Sequence, residues 1–216
     1  MTPAYCDRSR FVCATRIDRG EAVLFRNYTP PDDVPKSDFD DVSITSAALA
    51  TSAAPTFLPA VDIEGVKFWD GGLLNNNPID QVWDARFDVA PALLSKDEVS
   101  PEADIAVVLS VGTGYHIETA RLPEGVVSTL GATIAYATNT KAKDEDFRRN
   151  IHRMNLRRRK EERTEYFRFE TPIAEAINLD DWQKMDELET ATTTWLDDPK
   201  NKEIEQCAKL LADHYP

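Results

Sequence analysis

The feature that most limits the fold is an unbroken apolar run, IAVVLSV over residues 105–111, closed by Gly112-Thr113-Gly114. A strand with one wet face alternates apolar and polar residues. A run apolar at nearly every position fits a strand covered on both faces. Such strands sit in parallel sheets clothed by helices, so the run predicts an α/β sheet core. The chain has 216 residues, enough for one such domain with a real interior.

The rest of the pattern agrees with that class. RFVCAT (10–15) and AVLFRNY (22–28), separated by Asp18-Arg19-Gly20, read as two adjacent strands or a hairpin. Residues 29–41 are rich in Pro and Asp and read as a loop. Ser43 is placed to cap a helix through residue 54, ended by Pro55. That helix is almost wholly Ala, Ser and Thr, so it can lie close to a sheet. Val66–Trp69 read as a short strand running into Asp70-Gly71-Gly72. Asn77-Pro78 starts a helix reaching about Phe87. Residues 125–155 contain a further helix. The alternation from Tyr166 to Glu170 predicts a late strand. Trp182, Met185, Leu188 and Trp195 share one face of a predicted helix. Ile204, Cys207, Ala208 and Leu211 share a face of another, with Asn201 as its cap. The expected division is a catalytic core over 1–120 and a helical extension over 121–216 packed on it.

The net charge of -13 argues against a nucleic-acid partner, since phosphate binding needs a cationic face. Cys6, Cys13 and Cys207 form no CxxC pair and no Cys/His cluster at metal spacing, so reduced cysteines in a cytoplasmic protein are expected. No stretch of about eighteen apolar residues occurs, and residues 1–10 lack an apolar signal core.

The chemistry concentrates in SAALATSAAPTFLPAVDIEGVKFWDGGLLNNNP, residues 46–78. It holds one carboxylate, Asp70, at the end of a predicted strand, where α/β sheets carry their sites. Gly71 and Gly72 let backbone and ligand come close to it. Alone, Asp-Gly-Gly is far more often only a turn. In context, ATSAAPTFLP, a short strand and then DGGLLNNNP resemble the patatin-like lipid acyl hydrolases. LSVGTG (109–114) looks like that family's next strand and turn. The C-terminal helix pair, with Trp182, Met185 and Leu188 and then Cys207 and Ala208, is similar to the fungal type.

The resemblance implies a three-layer α/β/α fold with a mostly parallel central sheet. It also implies a serine hydrolase with a Ser/Asp dyad, in which Asp70 of the Asp70-Gly71-Gly72 motif is the proton acceptor. In the family the nucleophile lies in a Gly-x-Ser-x-Gly elbow, and a glycine-rich loop makes the oxyanion hole. No pair among the chain's glycines brackets a serine at that spacing. The resemblance places both elements, with the N-terminal strands, ahead of Met1, so this chain is expected to lack the nucleophile and to be inactive alone. The implied substrate is a phospholipid or acylglycerol ester, with transient contact at a membrane or lipid-droplet surface, other domains in a longer chain, and no metal or organic cofactor. A carboxylate in a water-poor cleft accepts a serine proton more readily, and Phe68 and Trp69 beside it are suited to drying the site, although alternation turns at least one into the core.

The remaining candidates have plainer readings. His116, His152 and His214 read as solvated histidines. Gly112-x-Gly114 lacks the third glycine of a dinucleotide loop. Asn75, Asn76 and Asn77 read as turn and cap residues. The basic cluster from Lys141 and Lys143 through Arg157, Arg158 and Arg159 to Arg168 is interleaved with acids and reads as a solvated helical surface, with anionic lipid head groups as the sharper alternative. A degenerate, non-catalytic module that binds lipid or protein is the competing overall reading. A nucleotide-binding α/β domain is a third, disfavoured by the missing phosphate loop.

Overall fold

The computed structural model describes residues 9–30, 38–39, 41–93, 105–116, 140–175, 177 and 180–214. These fall into two compact units. One contains the described residues up to 93 together with 140–143, and the other contains 105–116 and 144–214. The expected boundary at residues 120 and 121 lies outside the described residues, as does the first part of the helix expected over 125–155.

The first unit is built on strands β1 (Phe11–Arg16), β2 (Glu21–Arg26), β3 (Val61–Ile63) and β4 (Val66–Asp70), in the order β2-β1-β4-β3. The predicted hairpin is present, with β1 and β2 paired from Phe11↔Arg26 to Arg16↔Glu21. Gly20, at φ 63, closes its turn. β3 was not expected. It joins β4 through Glu64 and Gly65, both at positive φ, as a two-residue hairpin loop requires.

Every pairing in this sheet is antiparallel. For β1–β2 and β3–β4 the reason is connection length. Tight turns such as Ile17–Gly20 and Glu64–Gly65 can only reverse the chain, whereas parallel neighbours need a long crossover.

Helix α1 (Ile44–Thr51) begins where predicted. Ser43 accepts a hydrogen bond from the Ser46 amide at 3.1 Å. It ends three residues earlier than expected, with Ser52 as C-cap. Ala47 and Ala50 are its buried residues and join the core of Ala14, Phe25, Phe39, Ile63 and Phe68. Phe25, Phe39 and Phe68 meet edge to face, with centroids 5.0–6.3 Å apart. Beyond β4 come α2 (Gly72–Asn75) and α3 (Ile79–Leu93), the latter running six residues past the expected Phe87.

The second unit has β5 (Val107–Val111), β6 (Tyr115–His116), the part of α4 (Thr140–Asn155) from Asp144 onward, β7 (Glu165–Phe169), β8 (Pro172–Ile173), α5 (Met185–Leu196) and α6 (Lys202–His214). β5 pairs with β7 and β6 with β8, both in parallel. Here the parallel expectation holds.

The double burial predicted for β5 does not. Val108 and Ser110 are buried, but Leu109 is 43% and Val111 71% exposed. The buried face is the one carrying the lone polar residue of the run: Ser110 Oγ accepts from Arg168 Nη1 at 2.7 Å.

Trp182 and Met185 are also exposed, against expectation, at 75% and 59%. Trp182 lies in a 3-10 turn (Trp182–Lys184) before α5, which breaks the helical phase. Trp195 does pack inward, its ring 6.2 Å from Phe169. On α6, Cys207 is buried and Ile204 and Leu211 are half-buried, while Ala208 faces out. Among the described residues no helix is long and apolar enough to cross a membrane.

Candidate active site

Asp70 is the last residue of β4, and its pairing with Ala14 is the last rung of the β1–β4 ladder. It is half-buried. Alternation puts Phe68 fully inside the core and leaves Trp69, on the other face, 37% exposed. Phe68 therefore serves the core rather than drying the site.

The backbone here is fastened on several sides. The Asp70 amide donates to Ala53 O at 3.0 Å and the Gly71 amide to Thr51 O at 3.3 Å. The buried Thr15 hydroxyl donates to Asp70 O at 2.8 Å. Thr51 Oγ1 donates to Cys13 O at 2.6 Å, tying the end of α1 to β1. On the side chain, Oδ1 of Asp70 accepts from the Gly72 amide. Nothing among the described residues donates to Oδ2, so one carboxylate oxygen is oriented and the other is open to a proton.

The two glycines are needed for different reasons. Gly71 has ordinary helical angles, so its backbone conformation does not demand glycine. Its space does: an added Cβ would lie 2.1 Å from Cys13 O and 2.9 Å from Cys13 Cβ. A Cβ on Gly72 would instead meet Asp70 Oδ1 at 2.6 Å. Gly71→Ala is expected to cost about 1–3 kcal/mol of stability, because the obstacle is backbone. Gly72→Ala is expected to fold normally but turn the Asp70 carboxylate away. Thermal unfolding of the two variants checks this, and equal losses would show that the Asp70 side chain cannot yield.

After the turn, α2 is held by Lys143, whose Nζ donates to Leu74 O at 2.8 Å and to Asn75 Oδ1 at 3.5 Å. Asn75 and Asn77 are buried at 6% and 1%, and α3 begins at Ile79, two residues after Asn77. Lys143 was read with the solvated basic cluster, and the structure corrects that. It also corrects Arg168, whose side chain is 7% exposed and ion-paired to Glu170 at 2.9 Å. Both depend on partners that residue spacing does not reveal. Arg148 and Arg149 behave as the solvated surface predicts, paired with Asp144 (i,i+4) and Asp146 (i,i+3) and about half exposed. His152 is exposed. The side chains of His116 and His214 lie outside the described residues.

Cys13 lies under Gly71. Burial pushes its thiol up to about 11, against a smaller downward pull from Lys143. At pH 8 it is therefore a neutral thiol, and thiols react as thiolates. Iodoacetamide is expected to leave Cys13 unmodified in the folded chain and to label it in denaturant, as mass spectrometry would read. Labelling of Cys13 at the rate of a free thiol would show that the Gly71 contact opens.

Sequence reading missed Thr15 and Thr51. The available signal was a hydroxyl-bearing β-branched residue inside an apolar strand, and another at the end of a small-residue helix. Among the described residues no group of three or more His, Cys, Asp or Glu side chains is disposed to hold a metal ion.

Residues 4–83 match the family model of patatin-like phospholipases. The chain is also 28% identical, over 235 aligned residues, to Patatin-like phospholipase 1 of Plasmodium falciparum (isolate NF54), an alignment covering 98% of this chain and 32% of that relative. The chain thus spans about a third of the relative's length. The match to the family model takes in β1, β2, α1, the whole Asp70 turn and the start of α3. Over residues 4–83 this chain is thus similar to the patatin-like phospholipases.

Proposed function

We propose that this chain supplies the aspartate of a Ser/Asp dyad that hydrolyses acyl esters of phospholipids or acylglycerols. The observation that carries the reading is the Asp70 carboxylate: half-buried at the end of a core strand, with one oxygen held by the Gly72 amide and the other unengaged among the described residues. A proton acceptor in a dyad needs that combination of fixed direction and open lone pairs.

No Gly-x-Ser-x-Gly occurs in these 216 residues, so the serine comes from polypeptide outside them. Asp70 takes the serine proton as the hydroxyl attacks the ester carbonyl, and the lipid alcohol leaves with that proton. Water, activated by the same carboxylate, then releases the fatty acid and restores the serine. Among the described residues Ile44, Phe57 and Leu58 are large apolar side chains left at least half exposed, 89%, 52% and 52%, which supports an apolar substrate or a transient lipid surface.

The test is a version extended ahead of Met1 to include a serine elbow, assayed on phosphatidylcholine and triacylglycerol and treated with a fluorophosphonate. Ester hydrolysis and covalent labelling of the added serine are expected, with neither in the 216-residue chain. Absence of both from the extended protein would leave the non-catalytic module as the better account.

A further inference from the structure

The β1–β4 ladder ends at Ala14↔Asp70, and there a side chain takes over from the backbone. Thr15 is 6% exposed, stands opposite Trp69, and reaches past the last rung to hydrogen-bond Asp70 O at 2.8 Å. That bond fixes the plane of the Asp70–Gly71 peptide. The next peptide carries the Gly72 amide, which donates to Asp70 Oδ1. The carbonyl held by Thr15 and the amide that orients the carboxylate are therefore two links apart on one short piece of chain. On its other side the same piece hangs from Thr51 O through the Gly71 amide, and Thr51 itself is tied to β1 through Cys13 O.

We propose that Thr15 is a positioning residue for Asp70: its buried hydroxyl holds the Asp70–Gly71 peptide so that the Gly72 amide aims the carboxylate. This rests on the dyad reading for its catalytic consequence but not for its geometry, which concerns this chain alone. A threonine serves the purpose because its branched Cβ suits the strand while its hydroxyl supplies a donor that the terminated ladder no longer provides. Valine has nearly the same shape without the donor, and serine keeps the donor without the methyl.

Two measurements on Thr15→Val and Thr15→Ser test the proposal. In the 216-residue chain, amide hydrogen exchange at Gly72 is expected to quicken roughly tenfold in Thr15→Val, the loss of about one hydrogen bond's worth of protection. Amides in the middle of β1 and β2 should keep their rates, and Thr15→Ser should match the parent. Uniform quickening across the sheet, or none at Gly72, would overturn the proposal by making Thr15 a core residue only. In the extended protein, Thr15→Val is expected to lower kcat about 10- to 100-fold with KM unchanged, and Thr15→Ser to restore it. Parent and Asp70→Asn proteins run beside them. If neither hydrolyses ester, the dyad reading fails while the exchange data still decide on Thr15. If the parent is active and Thr15→Val equals it, only the positioning role fails.

Discussion

On the proposed Ser/Asp dyad, Asp70→Asn in a version extended to include a serine elbow is expected to lower kcat on a phospholipid ester by about 10²- to 10⁴-fold with little change in KM. Asparagine has the size of aspartate, and its carbonyl oxygen can still accept from the Gly72 amide, so the turn keeps its shape. It removes the charge and the lone pairs that would receive the serine proton. A loss confined to kcat is the mark of a group that acts in the transition state rather than in substrate binding. Initial rates over a range of substrate concentrations, with unfolding midpoints of both proteins, separate this from damage to the fold. Retention of more than about a tenth of the parent rate would mean that another group takes the proton.

Phe68→Ala carries the largest expected cost to stability, about 3–5 kcal/mol. Phe68 is fully buried and its ring touches those of Phe25 and Phe39, at centroid distances of 5.4 and 5.0 Å. Removing it leaves a void under α1 that alanine side chains at 47 and 50 cannot fill. Domains of this size have only about 5–15 kcal/mol in hand, so the variant is expected to unfold at clearly lower urea, with a similar denaturant slope. A loss under about 1 kcal/mol would show that β4 is not central to this core. Because Phe68 and Asp70 alternate with Trp69 on one strand, the same experiment asks how firmly the carboxylate is anchored to the interior.

What the sequence made legible was local. The hairpin of β1 and β2 is announced by two β-rich runs around a glycine turn, and the start of α1 by Ser43. The strand leading to Asp70 shows as a short apolar stretch before two glycines. What stayed hidden depends on residues far apart in the chain. The three residues of β3 mean nothing until β4 lies beside them. The antiparallel sense of β1 and β4 is set by pairing across about fifty residues, Ala14 with Asp70. Lys143 reaches α2 from almost seventy residues away, and Arg168 is buried only because Ser110 and Glu170 receive it. Asp70 was singled out because its motif is contiguous, whereas the hydroxyls of Thr15 and Thr51 near it are contributed by other elements.

The direction of the first unit's strands has a practical side. β4 ends at Asp70, and both hairpin tips, Ile17–Gly20 and Glu64–Gly65, lie at the opposite end of the sheet. Length variation at those tips is absorbed far from the carboxylate, so an epitope or affinity peptide grafted there should be accommodated. A single-residue deletion between Val66 and Trp69 has the opposite character: it moves Asp70 into the slot of Trp69 and carries the acid to the wrong side of the sheet.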